Sequence, residues 1–358
     1  MRFGIAFKLA LLLGLLGVLA SGLTGYYAYE VSRDLLVASA KNELLTSARV
    51  LLRRIAATRA VIARDLQVMS RHPAAARVLQ QSDPAAADQV ATLFKLVMAA
   101  NPGYFQMRLI SGASNGLEQV RVDRDGEQLV QVTGEDLQEK GHFDYVFGTL
   151  GLPAGGVYLS RIAINHDSGV HSGLDKPTVQ MATPVTDARG VAIGVVVVSV
   201  DLNGSFSQLG ADLPKEMQLI FANGLGDYLI HPDPRKAFGF DRGMRVLVQN
   251  EFAQTRDLVE GKAQSVVVES SDGSFAPQPV VAAFVMQNVS NIVAPDENRL
   301  ILGLAQPLST VVQRADALGT NILRIVTAFC VVCLVLAWLV ARAVTRPINA
   351  MRRSVQAF

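Results

Sequence analysis

Cysteine is nearly absent. The chain has two cysteines, Cys330 and Cys333, so residues 30–320 must fold without disulfides, by core burial alone. The C-x-x-C spacing can suggest a redox or metal pair, but Val331, Val332 and Leu334 surround it with hydrocarbon, and small packing residues are the preferred reading. Charge of one sign is lacking too: 33 basic residues against 31 acidic ones give a formal net charge of +2, which leaves no polyanion footprint and argues against nucleic acid as a partner. Tryptophan occurs once, at Trp338. Gly and Pro are missing from Val31 to Arg71, which removes the usual helix breakers from that stretch.

What the chain has in excess is apolar residues, half of the total, and most of that excess lies near the two ends. Leu9 to Tyr29 contains no charged residue and is long enough, at about 1.5 Å per residue, to cross a bilayer core of about 30 Å. A cleaved leader is the competing reading, with Val18-Leu19-Ala20 as its cleavage site; apolar character running on to Leu23 and ending in Tyr26, Tyr27 and Tyr29 favours an anchor with an interfacial aromatic belt. The second run, Ile325 to Ala341, is bounded by Arg324 and Arg342, and Asn321 to Leu323 can extend it. Arg2 and Lys8 precede the first run, while Arg342, Arg346, Arg352 and Arg353 follow the second. The positive-inside rule then places both termini in the cytoplasm and the region between the spans outside it.

From Val31 to Arg71 apolar residues recur at Leu44, Ala48, Leu51, Ile55, Ile62, Leu66 and Met69. That spacing predicts one long amphipathic helix closed by Pro73; about forty residues reach roughly 60 Å. The stripe packs on its own sheet, on a helix of a second subunit, or on both. A shorter helix is expected over Ala86 to Ala100. Strands follow at Tyr104 to Ile110, Leu117 to Asp123, Gln128 to Thr133, Gly156 to Ile162, Thr178 to Val185 and Ala192 to Val200, with a hairpin turn at Asp125-Gly126 and a valine run fit for a sheet centre. A second unit begins near Pro214. It has strands at Gln218 to Ala222, Asp227 to Ile230, Ser265 to Glu269, Val280 to Met286 and Leu300 to Leu304, a helix over Val246 to Glu260, and a final helix from Pro307.

Several stretches resemble the double-Cache sensor domains of bacterial receptors, of the histidine-kinase-sensor type: Tyr104-Phe105-Gln106-Met107-Arg108 with Gly116 to Val122, Val157-Tyr158-Leu159-Ser160, Ala182-Thr183-Pro184-Val185 running into Gly190 and Gly194, and Gly226 to Asp233 with Phe238-Gly239-Phe240. The resemblance covers roughly residues 30–320. It implies an α+β fold: a long N-terminal helix with two PAS-like antiparallel-sheet modules, flanked by two transmembrane helices. Beyond the second span, Thr345-Arg346-Pro347 opens a helix with Ile348, Met351, Val355 and Phe358 at a/d spacing. This looks like the first helix of a HAMP linker. The expected organisation is a cytoplasmic N-terminus over 1–8, a span over 9–29, the long helix and membrane-distal module over 30–213, the membrane-proximal module over 214–320, a span over 321–341, and the HAMP start over 342–358.

A pocket needs a few convergent polar groups. Arg108, Glu118 and Arg121 on the first hairpin, with Tyr158, Ser160, Gln180 and Thr183 on strands expected to face it, are the candidate ligand-binding residues. Two arginines beside one carboxylate favour an anionic ligand, although the same residues can pair with Glu118 simply to satisfy a buried charge. In the amino-acid-binding branch of the family an Arg is followed by Trp-Tyr, and a later Tyr and Asp hold the ligand amine; here Leu109, Ile110, Ala163 and Asn165 stand at those places, so the resemblance does not support an amine site. His166, His171 and Asp167 match no strong metal template, His231 reads as a turn residue, and Ser160 with His166 lacks a nucleophile elbow.

No catalytic residue, metal or cofactor is therefore expected. The expected protein is a dimeric receptor of the bacterial inner membrane with its sensor domain in the periplasm. It senses a small ligand directly or through a periplasmic binding protein, and it passes the signal to a cytoplasmic diguanylate cyclase, histidine kinase or chemotaxis module outside this chain. An anchored periplasmic enzyme or a ligand-independent scaffold is the alternative.

Overall fold

The computed structural model describes residues 5–164, 176–270, 273–289 and 299–355. Two compact units divide the chain: residues Met1–Asn42 with Pro307–Phe358, and residues Glu43–Gln306. In chain order the helices are α1 (Ile5–Ser70), α2 (Pro73–Gln81) and α3 (Pro84–Ala100), followed by strands β1 (Tyr104–Ser111), β2 (Glu118–Asp125) and β3 (Gln128–Val132). Then come α4 (Asp144–Leu150), β4 (Tyr158–Leu159), β5 (Ala163–Ile164), β6 (Pro177–Thr186), β7 (Ala192–Asp201) and α5 (Asn203–Ala211). The chain continues with β8 (Gln218–Asn223), β9 (Tyr228–Ile230), α6 (Val248–Glu251), α7 (Arg256–Val259), β10 (Ser265–Ser270), β11 (Val280–Asn288), β12 (Arg299–Pro307) and α8 (Leu308–Val355).

Among the described residues, the larger unit holds two antiparallel sheets. The first has seven strands in the order β3-β2-β1-β7-β6-β4, with β5 also paired to β6; the second has five, in the order β10-β11-β12-β8-β9. The valine run lies in β7, between β1 and β6, and Val195 to Val198 are all buried. Residues on alternate sides of a strand face opposite ways. Accordingly Val196, Val198 and Val200 join Met107, Leu109, Val120 and Val122 in the core formed with Ile62, Leu66, Met69 and the helices α2 and α3. Val195 and Val197 join Ile110, Tyr145, Val146 and Tyr158 in a second, smaller core under α4. The helix stripe read from the sequence is buried at Leu44, Ala48, Leu51, Ile62, Leu66 and Met69. Its end is set by Pro73 at the first turn of α2, with the His72 imidazole accepting the Ala74 amide.

Two expected elements are shorter than the sequence suggests. The strand over Gly156 to Ile162 reduces to Tyr158–Leu159: at the next pair the Ser160 amide still donates to the Gln180 carbonyl at 2.8 Å, but the Ser160 hydroxyl replaces its carbonyl as acceptor of the Gln180 amide, at 2.9 Å. The helix over Val246 to Glu260 splits into α6 and α7 around Phe252, whose backbone is non-helical at φ −132°, ψ 87°. Its buried ring packs against Phe275 and Phe284, each at a centroid distance of 4.8 Å; this core contact overrides helical continuity.

In the smaller unit, the beginning of α1 runs antiparallel to α8. Tyr29 donates to Asp316 at 2.8 Å, and a side chain added at Gly25 would meet Ile322 and one at Gly17 would approach Phe329. The contacts pair low numbers on α1 with high numbers on α8, as antiparallel helices require, and the glycines permit close approach. Among the described residues, one segment, Leu308–Val332, is long and apolar enough to cross a membrane. The 9–29 segment is helical throughout, and its Leu12, Leu15, Leu19 and Leu23 are exposed.

In the five-stranded sheet a β-carbon at Gly303 would stand 2.3 Å from the Phe284 ring. Gly303→Ala is therefore expected to cost about 1–3 kcal/mol, with Phe284→Leu in the same chain recovering part of the loss. Calorimetric melting of the single and double variants checks this, and a neutral Gly303→Ala would show that the ring has room to move.

Candidate functional site

The first sheet presents its charges on the face away from α1. Strand register builds a row across that face: Arg108 pairs with Arg121 on one side and with Val197 on the other, Val197 pairs with Ala182, and Ala182 with Tyr158. A parallel row holds Gln106, Ser199 and Gln180. A shift in register between Leu109 and Ile110 sets Glu118 opposite Ile110, which turns its carboxylate to the same face as the arginines. The irregularity that hid the facing of Glu118 in the sequence is thus what brings the three charges together.

Arg108 and Glu118 are each 1% exposed. The Arg108 guanidinium donates to the Tyr145 hydroxyl at 3.0 Å and to the Ser199 hydroxyl at 3.2 Å, and it lies over the Tyr145 ring at 5.0 Å. Its Nη1 is 3.7 Å from Glu118 Oε1, while Arg121 Nη1 is 3.6 Å from Glu118 Oε2. Both separations exceed the 2.7–2.9 Å or so of a charge-assisted hydrogen bond. Glu118 Oε2 accepts the Gln138 amide at 3.1 Å, and Oε1 accepts no hydrogen bond among the described residues. Arg121 is held more firmly by Asp123, at 2.6 Å. Burial alone would lower its pKa, but the hydrogen bond and charge of Asp123, and then Glu118, raise it.

A strap covers this face. Glu118 N–H donates to the Gln138 carbonyl and Lys140 N–H to the Gly116 carbonyl, so residues 138–140 run alongside the start of β2. Gly116, at φ +71°, crosses Gly141 so closely that a β-carbon on it would lie 2.4 Å from the Gly141 nitrogen. The strap leads into α4, which delivers Tyr145. Lys140 is buried, with its ammonium 5.0 Å from the centre of the Phe143 ring.

The candidate residues are thus only partly united. Arg108, Glu118 and Arg121 meet; Tyr158 shares their face and is buried under α4, but it stands three strand spacings from Arg108, about 14 Å. Gln180 shares the face by register, in the row of Ser199. Ser160 borders instead a cleft of 430 Å³ between the two sheets, with Asp227, Asp241 and Arg245. Thr183 is a correction to the expected grouping: it pairs with Val196 on the opposite, helix-covered face, and its hydroxyl donates to the Gly156 carbonyl at 2.7 Å. Tyr145 and Ser199, which bond Arg108, and Lys140, which the strap buries nearby, were not foreseen. Ser199 had a signal, as the single polar residue within the valine run. His166, Asp167, His171 and Asn165 lie outside the described residues.

His231 is not a simple turn residue. It is buried, and its Nδ1 accepts the Asp233 amide at 2.8 Å, which leaves Nε2–H to donate to Glu251 Oε2 at 3.2 Å. Tyr228 donates to the same oxygen at 2.5 Å, and Lys236 pairs with the other. Desolvation pushes the Glu251 pKa up, but the bonds from His231, Lys236 and Tyr228 outweigh it and the net shift is downward. A lowered carboxylate pKa contributes stability above the ordinary glutamate range, and that contribution is lost as the pH falls through the folded value. Acidification from about pH 6 to about pH 3 is therefore expected to depress the melting temperature of the native chain more steeply than that of Glu251→Gln. Parallel slopes would remove Glu251 as a source of the acid sensitivity.

The fold has solved counterparts. The extracellular domain of a putative histidine kinase superposes with a TM-score of 0.62 at 16% identity, over 78% of this chain and 98% of that one. A domain of a putative sensory box/GGDEF family protein from Vibrio parahaemolyticus gives 0.59 at 15% identity, with the same two coverages. The ligand-binding domain of the Campylobacter jejuni chemoreceptor Tlp3, in complex with 4-methylisoleucine, gives 0.52 at 10% identity, over 77% of this chain and 94% of that one. No curated protein sequence matches. The profile described as the sensor domain of bacterial histidine kinases matches residues 37–255. That span is more than half of the sequence and contains the second half of α1, the charged face and its strap, and on it the chain belongs to the family of bacterial histidine kinase sensor domains.

Proposed function

We propose that the chain is the sensing part of a dimeric inner-membrane receptor, and that a small carboxylate ligand is read on the charged face of the first sheet. The observation that carries the ligand class is Glu118: a buried carboxylate lies between two guanidinium groups at 3.7 and 3.6 Å, with one oxygen accepting no hydrogen bond among the described residues. Two arginines fixed on adjacent strands form a fork suited to a carboxylate. A ligand acid entering under the strap competes with Glu118 for that fork, so binding and movement of the strap are the same event. The Tlp3 counterpart was solved with an amino acid derivative. In this chain Leu109, Ile110 and Ala163 stand where the amino-acid-binding branch has aromatic residues, which favours an acid without an amine.

The exposed leucines of the 9–29 helix and the apolar Leu308–Val332 segment, packed antiparallel, support two membrane spans with residues 43–306 on the periplasmic side. Ligand binding favours one arrangement of the sheet and strap, and a small displacement of α8 carries the change to a HAMP coil and an output module.

Two outcomes are expected. In nanodiscs, one or more small mono- or dicarboxylates should raise the melting temperature, with about 2.7 kcal/mol of stabilisation at a hundredfold excess over Kd; Arg108→Ala should abolish the effect. A ligand whose stabilisation survives Arg108→Ala binds elsewhere. Alkaline phosphatase fused after residue 200 should be active and a fluorescent-protein fusion there dark, and the reverse pattern would overturn the topology.

A further inference from the structure

On the other side of the first sheet, where α1 passes α5 and the start of the second sheet, a cavity of 130 Å³ opens. Its walls are apolar: Ile55 and Ile62 from α1, Met181 from β6, Phe206 from α5, and Phe221 and Leu300 from the second sheet. A cavity of about 150 Å³ lined by such side chains holds a benzene ring, so this one suits an apolar group of six or seven heavy atoms.

Two arginines of α1 also line it, and they are not equivalent. Arg54 is paired with Asp212 across the rim. Arg59 lies five residues further on, half-buried, and no hydrogen bond or ion pair joins its guanidinium to a described residue. Desolvation is the single influence on its pKa, which is lowered. A partly desolvated cation beside an apolar cavity selects an occupant with an anionic end and a compact hydrocarbon body, because the acid restores the solvation that the arginine has lost while its body fills the void.

We infer that this cavity is a second ligand site, for a small apolar monocarboxylate such as an aromatic or branched-chain acid, with Arg59 holding the carboxylate. The occupant touches both sheets and α1 at once, through Met181, Phe221 and Ile55, so it wedges the junction between the two modules. The inference does not depend on the receptor reading or on the charged face of the first sheet.

The test is isothermal titration of the full chain in nanodiscs, with empty discs subtracted, using benzoate, 4-methylpentanoate and the neutral isostere benzamide. At least one of the two acids should bind saturably, and benzamide about tenfold or more weaker than benzoate if benzoate is the binder. Arg59→Gln should weaken the acid about tenfold or more, Arg59→Lys should restore part of the affinity, and Ile55→Phe should block the site while leaving the charge in place. No saturable binding of either acid, equal binding of benzoate and benzamide, or acid binding retained in Arg59→Gln and lost in Arg108→Gln would each overturn the assignment.

Discussion

The constraint on which the larger unit rests is that its first sheet must satisfy two different faces with one set of strands. The valine strand β7 has no solvent-facing side: Val196, Val198 and Val200 meet the helices, while Val195 and Val197 meet α4. Because side chains alternate along a strand, a one-residue slip of β1 against β7 would exchange Met107 and Leu109 for Gln106 and Arg108 in the helix-side core. Burying an unpaired guanidinium there is prohibitive. The register is therefore held by hydrophobic burial on one face and by charge accommodation on the other, and the same requirement places Arg108 within reach of Tyr145 and Ser199.

A consequence is that the side chains fixed by these structural demands are the ones proposed above for recognition. A buried ion pair is a poor source of net stability, since desolvation offsets most of the Coulombic attraction, whereas removing one partner leaves an uncompensated charge. Glu118 fits this description: it lies 3.7 and 3.6 Å from two guanidinium groups, and under the proposed function a ligand carboxylate takes its place beside Arg108. The cluster of Tyr228, His231, Lys236 and Glu251 beside the second sheet differs. Its carboxylate receives direct hydrogen bonds on both oxygens, which describes a fixed structural tie.

Most of the architecture was legible in the sequence because it depends on periodicity. The α1 stripe repeats one helical spacing over many residues, the central valine strand is a continuous apolar run, and Asp125-Gly126 is a two-residue turn signal. What escaped depends on single residues that depart from a period. The register shift beside Ile110 decides the facing of Glu118; the Ser160 hydroxyl takes its carbonyl's place just after β4; Phe252 breaks the expected helix from within the core. Thr183 looked like a pocket residue because hydroxyl chemistry is visible in a sequence and sheet facing is not. Lys140 and Tyr145 were missed because the strap reaches the site through backbone bonding to Gly116 and Glu118, which no side-chain pattern announces.

The crossing of Gly116 and Gly141 bears on how the covered face is opened. Two main chains meet there with no side chain between them, and backbone hydrogen bonds from Lys140 to the Gly116 carbonyl and from Gly141 to the Asn115 carbonyl fasten them, so the crossing is a pinned joint. In the opening proposed above, movement of the strap would be smallest at this joint and largest at its far end, where α4 carries the Tyr145 ring.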